Sequence, residues 1–136
     1  MNNNRNQLRS QLFNAIEQGN VNTIKYLLNN NRININRSDP WNRTPLRRAI
    51  AMGHANVVRL LLQKGARVNR NNLGFIAQYM NNNNSENVRV IKNLISRALG
   101  RQARARALTA SLREGLRLRH IYREGLNSIR KKYPKK

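Results

Sequence analysis

The chemistry available to this chain is almost entirely that of arginine. Twenty arginines and seven lysines face five carboxylates, a formal net charge of +22 over 136 residues. A guanidinium stays protonated and presents a planar fork that fits phosphate bidentately and stacks on bases. A chain with this balance has a polyanion as its natural partner. The excess is densest near the C-terminus. There Arg101, Arg104, Arg106, Arg113, Arg117, Arg119, Arg123, Arg130, Lys131, Lys132, Lys135 and Lys136 stand against only Glu114 and Glu124. These twelve are the candidate nucleic-acid-binding residues, with RNA favoured over DNA.

Other chemistries find little to work with. Cysteine is absent, which excludes disulfides and thiolate metal sites. His54 and His120 are the only histidines, too few and too far apart to supply the three or four ligands of a zinc site. Glu17, Asp39, Glu86, Glu114 and Glu124 are scattered, and no two have acid/base spacing within one element. There is no glycine-rich phosphate loop and no nucleophile elbow. The expectation is a protein that is not an enzyme, with no cofactor, metal or small-molecule substrate.

The elements that must carry the arginines follow from periodicity. Ile24-Lys25-Tyr26-Leu27-Leu28, Val58-Arg59-Leu60-Leu61-Leu62 and Ile91-Lys92-Asn93-Leu94-Ile95 share the order apolar, basic, variable, apolar, apolar, and recur at offsets of 34 and 33 residues. Each is the i, i+3, i+4 stripe of an amphipathic helix. Self-similarity at this period indicates stacked repeats. Upstream of the second copy, Thr44 is placed to cap a helix, Pro45 suits its first position, and Leu46 and Ala49 share a face. Gly53 and Gly65 stand where helices stop. A stack buries only a thin seam per repeat, so a hydrophobic fraction of 39% is enough.

Thr44-Pro45-Leu46-Arg47-Arg48-Ala49, then Gly53-His54, then Val57 to Leu62 ending in Gly65-Ala66, resembles an ankyrin repeat. The resemblance extends over residues 8 to about 99. It implies an all-α ankyrin-repeat solenoid over residues 1–100, with repeats at about 8–37, 38–70 and 71–99. It makes His54 a structural residue at the head of a second helix, and Asn42 a replacement for the usual glycine at positive φ. It implies protein partners at the finger tips and first-helix face. Here those positions are Trp41, Arg43, Arg48, Met52, Leu73 and Phe75. Three departures stand out. Arg47 occupies the usual histidine position, so the customary hydrogen bond from that histidine to the threonine is missing. The first copy lacks the Thr-Pro-Leu start and begins at Leu8 and Leu12. In the third, Asn71 to Ile76 fits a turn, and Asn81 to Asn84 interrupts the expected first helix.

Residues 101–136 do not follow the repeat. Leu108, Leu112, Leu116, Leu118, Tyr122, Leu126 and Ile129 project onto one broad side of a helix, with Arg106, Arg113 and Arg117 opposite. Gly115 and Gly125 each weaken a helix by about 1 kcal/mol. The expectation is one or two basic amphipathic helices followed by a short tail. Four roles compete for this extension: a cap on the third repeat, a polyanion-binding arm, a membrane-surface helix and a contact for an acidic protein partner. The predominance of arginine favours the arm. No apolar run approaches the ~20 residues of a membrane span, and Met1 to Arg9 lacks the apolar core of a secretory signal. The asparagine runs read as turn residues. The expected function is an intracellular structural or adaptor subunit of a nucleoprotein assembly, such as a ribosome-like particle or a virion. In this reading the stack meets protein neighbours and the extension meets nucleic acid. The alternative is a viral or pathogen ankyrin adaptor that recruits a host protein.

Overall fold

The computed structural model describes residues 2–30 and 32–134. The described residues form six helices: α1 (Asn2–Gln18), α2 (Val21–Asn30), α3 (Pro45–Met52), α4 (Ala55–Gln63), α5 (Arg70–Asn81) and α6 (Glu86–Lys132). The chain divides into two compact units, residues 1–99 and 100–136.

In the first unit α3 packs between α1 and α5, and α2 packs on α4, while α1 and α3 also pair with α2 and α4 respectively. First helices thus form one layer and second helices the other. The local signals that start and stop these helices are those of the sequence. The Thr44 side chain accepts from the Arg47 backbone N–H at 3.2 Å, and Pro45 opens α3. Gly53 ends α3 at φ 72°, which lets the His54 N–H reach back to the Ala49 carbonyl at 3.2 Å. Gly19 does the same for α1 at φ 69°, with the Asn20 N–H on the Ala15 carbonyl at 2.9 Å. Both are Schellman closures, which need a residue that tolerates the left-handed region.

The register of the second helices is equally direct. Ile24, Val58 and Ile91 are each 0% exposed, while the basic residues that follow the first two, Lys25 and Arg59, are exposed. One core cluster runs through the unit from Leu12 and Ile16 on α1 to Ile91, Ile95 and Ala98 on α6.

The structure departs from the sequence expectation at two places. The first helix begins at Asn2 rather than near Leu8. Asn71 to Ile76, expected as a turn, lies inside α5. Asn69 takes the capping role of Thr44, its side chain accepting from the Asn72 N–H at 2.9 Å. Ile76 is then buried, with Leu73 and Tyr79 packed beside it. Burial on one face outweighs the poor helix propensity of Asn and Gly. The asparagine run therefore closes α5 instead of interrupting it, and residues 82–85 join α5 to α6. Of the extension, residues 101–132 lie in a single helix, α6, within the one or two helices expected, although Gly115 and Gly125 are inside it.

Asparagine side chains stitch the connections. Asn36 donates to the Gly65 carbonyl at 3.2 Å and accepts from the Arg67 N–H at 2.8 Å, tying the 32–44 connection to the 64–69 connection. Asn34 holds the Asn36 N–H and Asn83 the Ser85 N–H, each a local turn bond.

Leu61 is fully buried and Lys25 exposed on equivalent helices. Leu61→Ala is expected to lower stability by about 2–5 kcal/mol, the usual loss for truncating a core leucine. Lys25→Ala should stay within about 0.5 kcal/mol, as surface changes do. Urea unfolding of the two variants checks this, and equal losses would show the register to be wrong.

Candidate interaction surfaces

The connection between α2 and α3 carries the most exposed large apolar side chain among the described residues of the stack, Trp41, at 71%. Asp39 organises the loop around it. One carboxylate oxygen accepts from the backbone N–H groups of Trp41 and Arg43, both at 2.9 Å. The other accepts from Arg43 Nε at 2.8 Å. Asn42 adopts φ 59°, so the chain turns back and the Asp39 N–H meets the Arg43 carbonyl at 2.9 Å. With its fork held this way, the Arg43 guanidinium carbon lies 4.9 Å from the centroid of the Trp41 ring, a cation–π contact. Partial burial works to raise the Asp39 pKa, but the Arg43 and Trp41 hydrogen bonds and the Arg43 charge outweigh it and hold the carboxyl below its ordinary range.

Trp41 and Pro40 form one wall of an open groove of about 460 Å³, and α1 forms another through Asn6, Arg9, Ser10, Phe13, Asn14 and Glu17. Asp39, Arg43 and Arg48 complete it. Its arginines are all engaged. Arg9 donates to the Ser38 carbonyl at 3.1 Å, Arg43 is paired with Asp39, and Arg48 donates through Nε and Nη2 to Glu17. On a strongly cationic chain this groove is nearly charge-balanced. Of the six residues expected to meet protein partners, Trp41, Arg43 and Arg48 come together here. Met52 is exposed at 41% but does not line the groove, and Leu73 and Phe75 pack partly against the core. The α1 contribution, above all Phe13, was not found by sequence reasoning. Its one signal is an aromatic residue next to Leu12, one step off the buried Leu12, Ala15, Ile16 face.

The second unit has a different character. Every described residue from 103 to 134 is exposed. All eight arginines from Arg101 to Arg130, with Lys131 and Lys132, lie on α6, while Lys135 and Lys136 fall outside the described residues. Glu114 reaches Arg117 at 3.8 Å and Glu124 reaches His120 at 3.4 Å, both weak, exposed pairs. Helical geometry divides the cations. Arg106, Arg113, Arg117 and Lys131 lie opposite the leucines. Arg101, Arg104, Arg119, Arg123 and Arg130 fall within or at the edge of the leucine side, so the cations surround the helix. Among the described residues no helix is long and apolar enough to cross a membrane, and no three His, Cys, Asp or Glu gather as a metal site.

The family model described as ankyrin repeats (3 copies) matches residues 1–72, more than half of the chain. The chain belongs to the ankyrin-repeat family. Within this ankyrin stack, the consequence of Arg47 at the usual histidine position becomes clear. Its backbone N–H still completes the Thr44 cap. Its guanidinium crosses to the next repeat, donating to Asn72 Oδ1 at 3.2 Å and lying 4.2 Å from the Phe75 ring centroid. Asn72, which is buried, donates in turn to Thr44 Oγ1 at 3.4 Å. The Thr44 hydroxyl, which the sequence left without its histidine partner, thus gains an inter-repeat donor. His54 locks the other side. Its Nε2 donates to the Glu17 carbonyl at 3.0 Å, and its ring lies 3.2 Å from where a Cβ on Gly19 would stand.

Two outcomes follow. Arg47→Ala strips the Asn72 oxygen of its partner and removes the cover of Phe75, so a loss of about 1–3 kcal/mol is expected in urea unfolding. Because the folded Asp39 pKa is depressed, its contribution to stability is present above the unfolded value of about 3.9 and is lost as pH falls through the lower folded value. Trp41 fluorescence should therefore change below about pH 4, and in Asp39→Asn this acid transition should be absent.

Proposed function

We propose that this ankyrin-repeat protein is a non-enzymatic, intracellular subunit of a nucleoprotein assembly, its stack engaging a protein neighbour and its α6 extension engaging RNA. Ankyrin repeats are protein-interaction modules, and the groove between α1 and the Trp41 loop supplies a surface for that role. Tryptophan and arginine are the side chains that most often anchor such interfaces. The observation that carries the nucleic-acid half is the extension. Twelve basic residues face two acidic ones there, the described ones lie on a helix, and none is buried. Within the stack, Arg9, Arg43, Arg47 and Arg48 are committed to partners in the chain. The cations of α6 are left to neutralise phosphate, a contact that carries little sequence information.

The test is binding of single-stranded and duplex RNA by the full chain across a salt series. With on the order of six phosphates neutralised, log K against log salt should slope near −4 for single strands and near −5 for a duplex. Replacing Arg106, Arg113 and Arg117 together by Gln should flatten the slope by about 2. Unchanged affinity and slope in that variant would move the polyanion site off this face.

A further inference from the structure

The extension carries a second feature that phosphate binding does not use. Nine large apolar side chains from Leu108 to Tyr133 are exposed, between 36% and 70% of their surface open. Eight of them lie on α6 and Tyr133 directly follows it, and an apolar surface of this extent marks a contact site. Leu108, Leu112, Tyr122, Leu126, Ile129 and Tyr133 fall on a single register of alternating three- and four-residue steps. That is the a/d spacing of a coiled-coil seam. Leu116 and Leu118 widen it on either flank. Two seam positions are not apolar. Gly115 leaves a hole, and Arg119 places a charge in the middle of the stripe.

We infer that this face of α6 is the docking surface for an acidic amphipathic helix of a partner protein, joined in a heptad seam with a carboxylate opposite Arg119. The inference does not rest on the nucleic-acid reading, because Arg106, Arg113 and Arg117 lie on the other side of the helix. Three arguments select this occupant. Arg123, Arg130 and Lys132 border the seam, so a partner with acidic flanks is complementary, and such flanking charges decide pairing. A second copy of the chain fits poorly, since the extension carries +10 and a parallel pair would set Arg119 against itself within the seam. A lipid surface fits poorly as well, because a charge at the centre of the apolar face would be carried into the hydrocarbon. Arg119 acts as a single polar seam residue that fixes register, as buried polar residues do in helical pairs.

The probe is a synthetic helix of about four heptads with Leu at seam positions, Glu at the flanks and one central seam Glu. A control peptide carries the same charges with Gln in place of Leu. Binding to the full chain is read by fluorescence anisotropy at about 0.5 M salt, where exposed charge pairs are screened. The leucine peptide should bind at least about tenfold more tightly than the control. Leu112→Gln with Leu126→Gln should erase that difference. Arg119→Leu should weaken the peptide with the central Glu and strengthen one with a central Leu, a reversal that loss of folding cannot produce. The Arg106, Arg113, Arg117 to Gln variant should keep peptide affinity within about threefold even where RNA binding falls, which separates this inference from the proposed function. Equal binding of the two peptides would overturn it by reducing the contact to charge. So would a dimer of the chain alone, seen by light scattering and abolished by the leucine pair. Leucine-dependent binding to anionic vesicles that the acidic peptide fails to displace would equally assign the face to lipid.

Discussion

No helix pair in this protein can bury its own apolar face, and everything else depends on neighbours doing so. Ile24, Val58 and Ile91 sit at one position in successive repeats and are removed from water completely. Leu12 and Ile16 on α1, Leu46 and Ile50 on α3 and Ile76 on α5 line the other layer of the same cluster. Each fully buried side chain of this kind contributes about 1.5–3 kcal/mol relative to exposure. Stability in such a stack is a sum of neighbour terms, so a short array has little reserve. That sets a premium on the polar bridges that join one repeat to the next: Arg47 with Asn72, His54 with the Glu17 carbonyl, and Asn36 with Gly65 and Arg67.

Charge is handled in two ways along the chain. Within the stack, the arginines beside the groove and at the repeat junction are absorbed into structure, while others such as Arg37, Arg59 and Arg67 stay exposed. Arg48 pairs with Glu17, Arg43 braces Asp39 and covers Trp41, and Arg9 holds the Ser38 carbonyl. The two carboxylates of this unit that are placed between repeats or in the loop, Glu17 and Asp39, balance the groove beside Trp41. Along α6 the opposite holds. Like charges at Arg113 and Arg117, and at Arg119 and Arg123, are one turn apart, which disfavours an isolated helix. A polyanion on one face and an acidic helix on the other would each relieve that repulsion. One helix would then serve as the joint between protein and nucleic acid in an assembly.

Much of the stack was legible in the residues alone, because the relevant signals act over a few positions. Thr44 and Pro45 start a helix, Gly53 ends it, Asn42 takes positive φ, and a fixed apolar register recurs through Ile24, Val58 and Ile91. These follow from backbone geometry and amphipathicity, which need no knowledge of what lies across the gap. The third repeat was misread for the same reason. Asn71, Asn72 and Gly74 favour a turn locally, and only the burial of Ile76, with Leu73 and Tyr79 beside it, makes that stretch helical. Tertiary structure also decided what each arginine is for. Composition treats Arg47, Arg48 and Arg113 alike. Arg48 is tied down by Glu17, 31 positions away in the chain, and Arg47 by Asn72, 25 positions away, while Arg113 stays exposed. Partners at such separations are brought together by repeat stacking, and a one-dimensional pattern does not contain that distance.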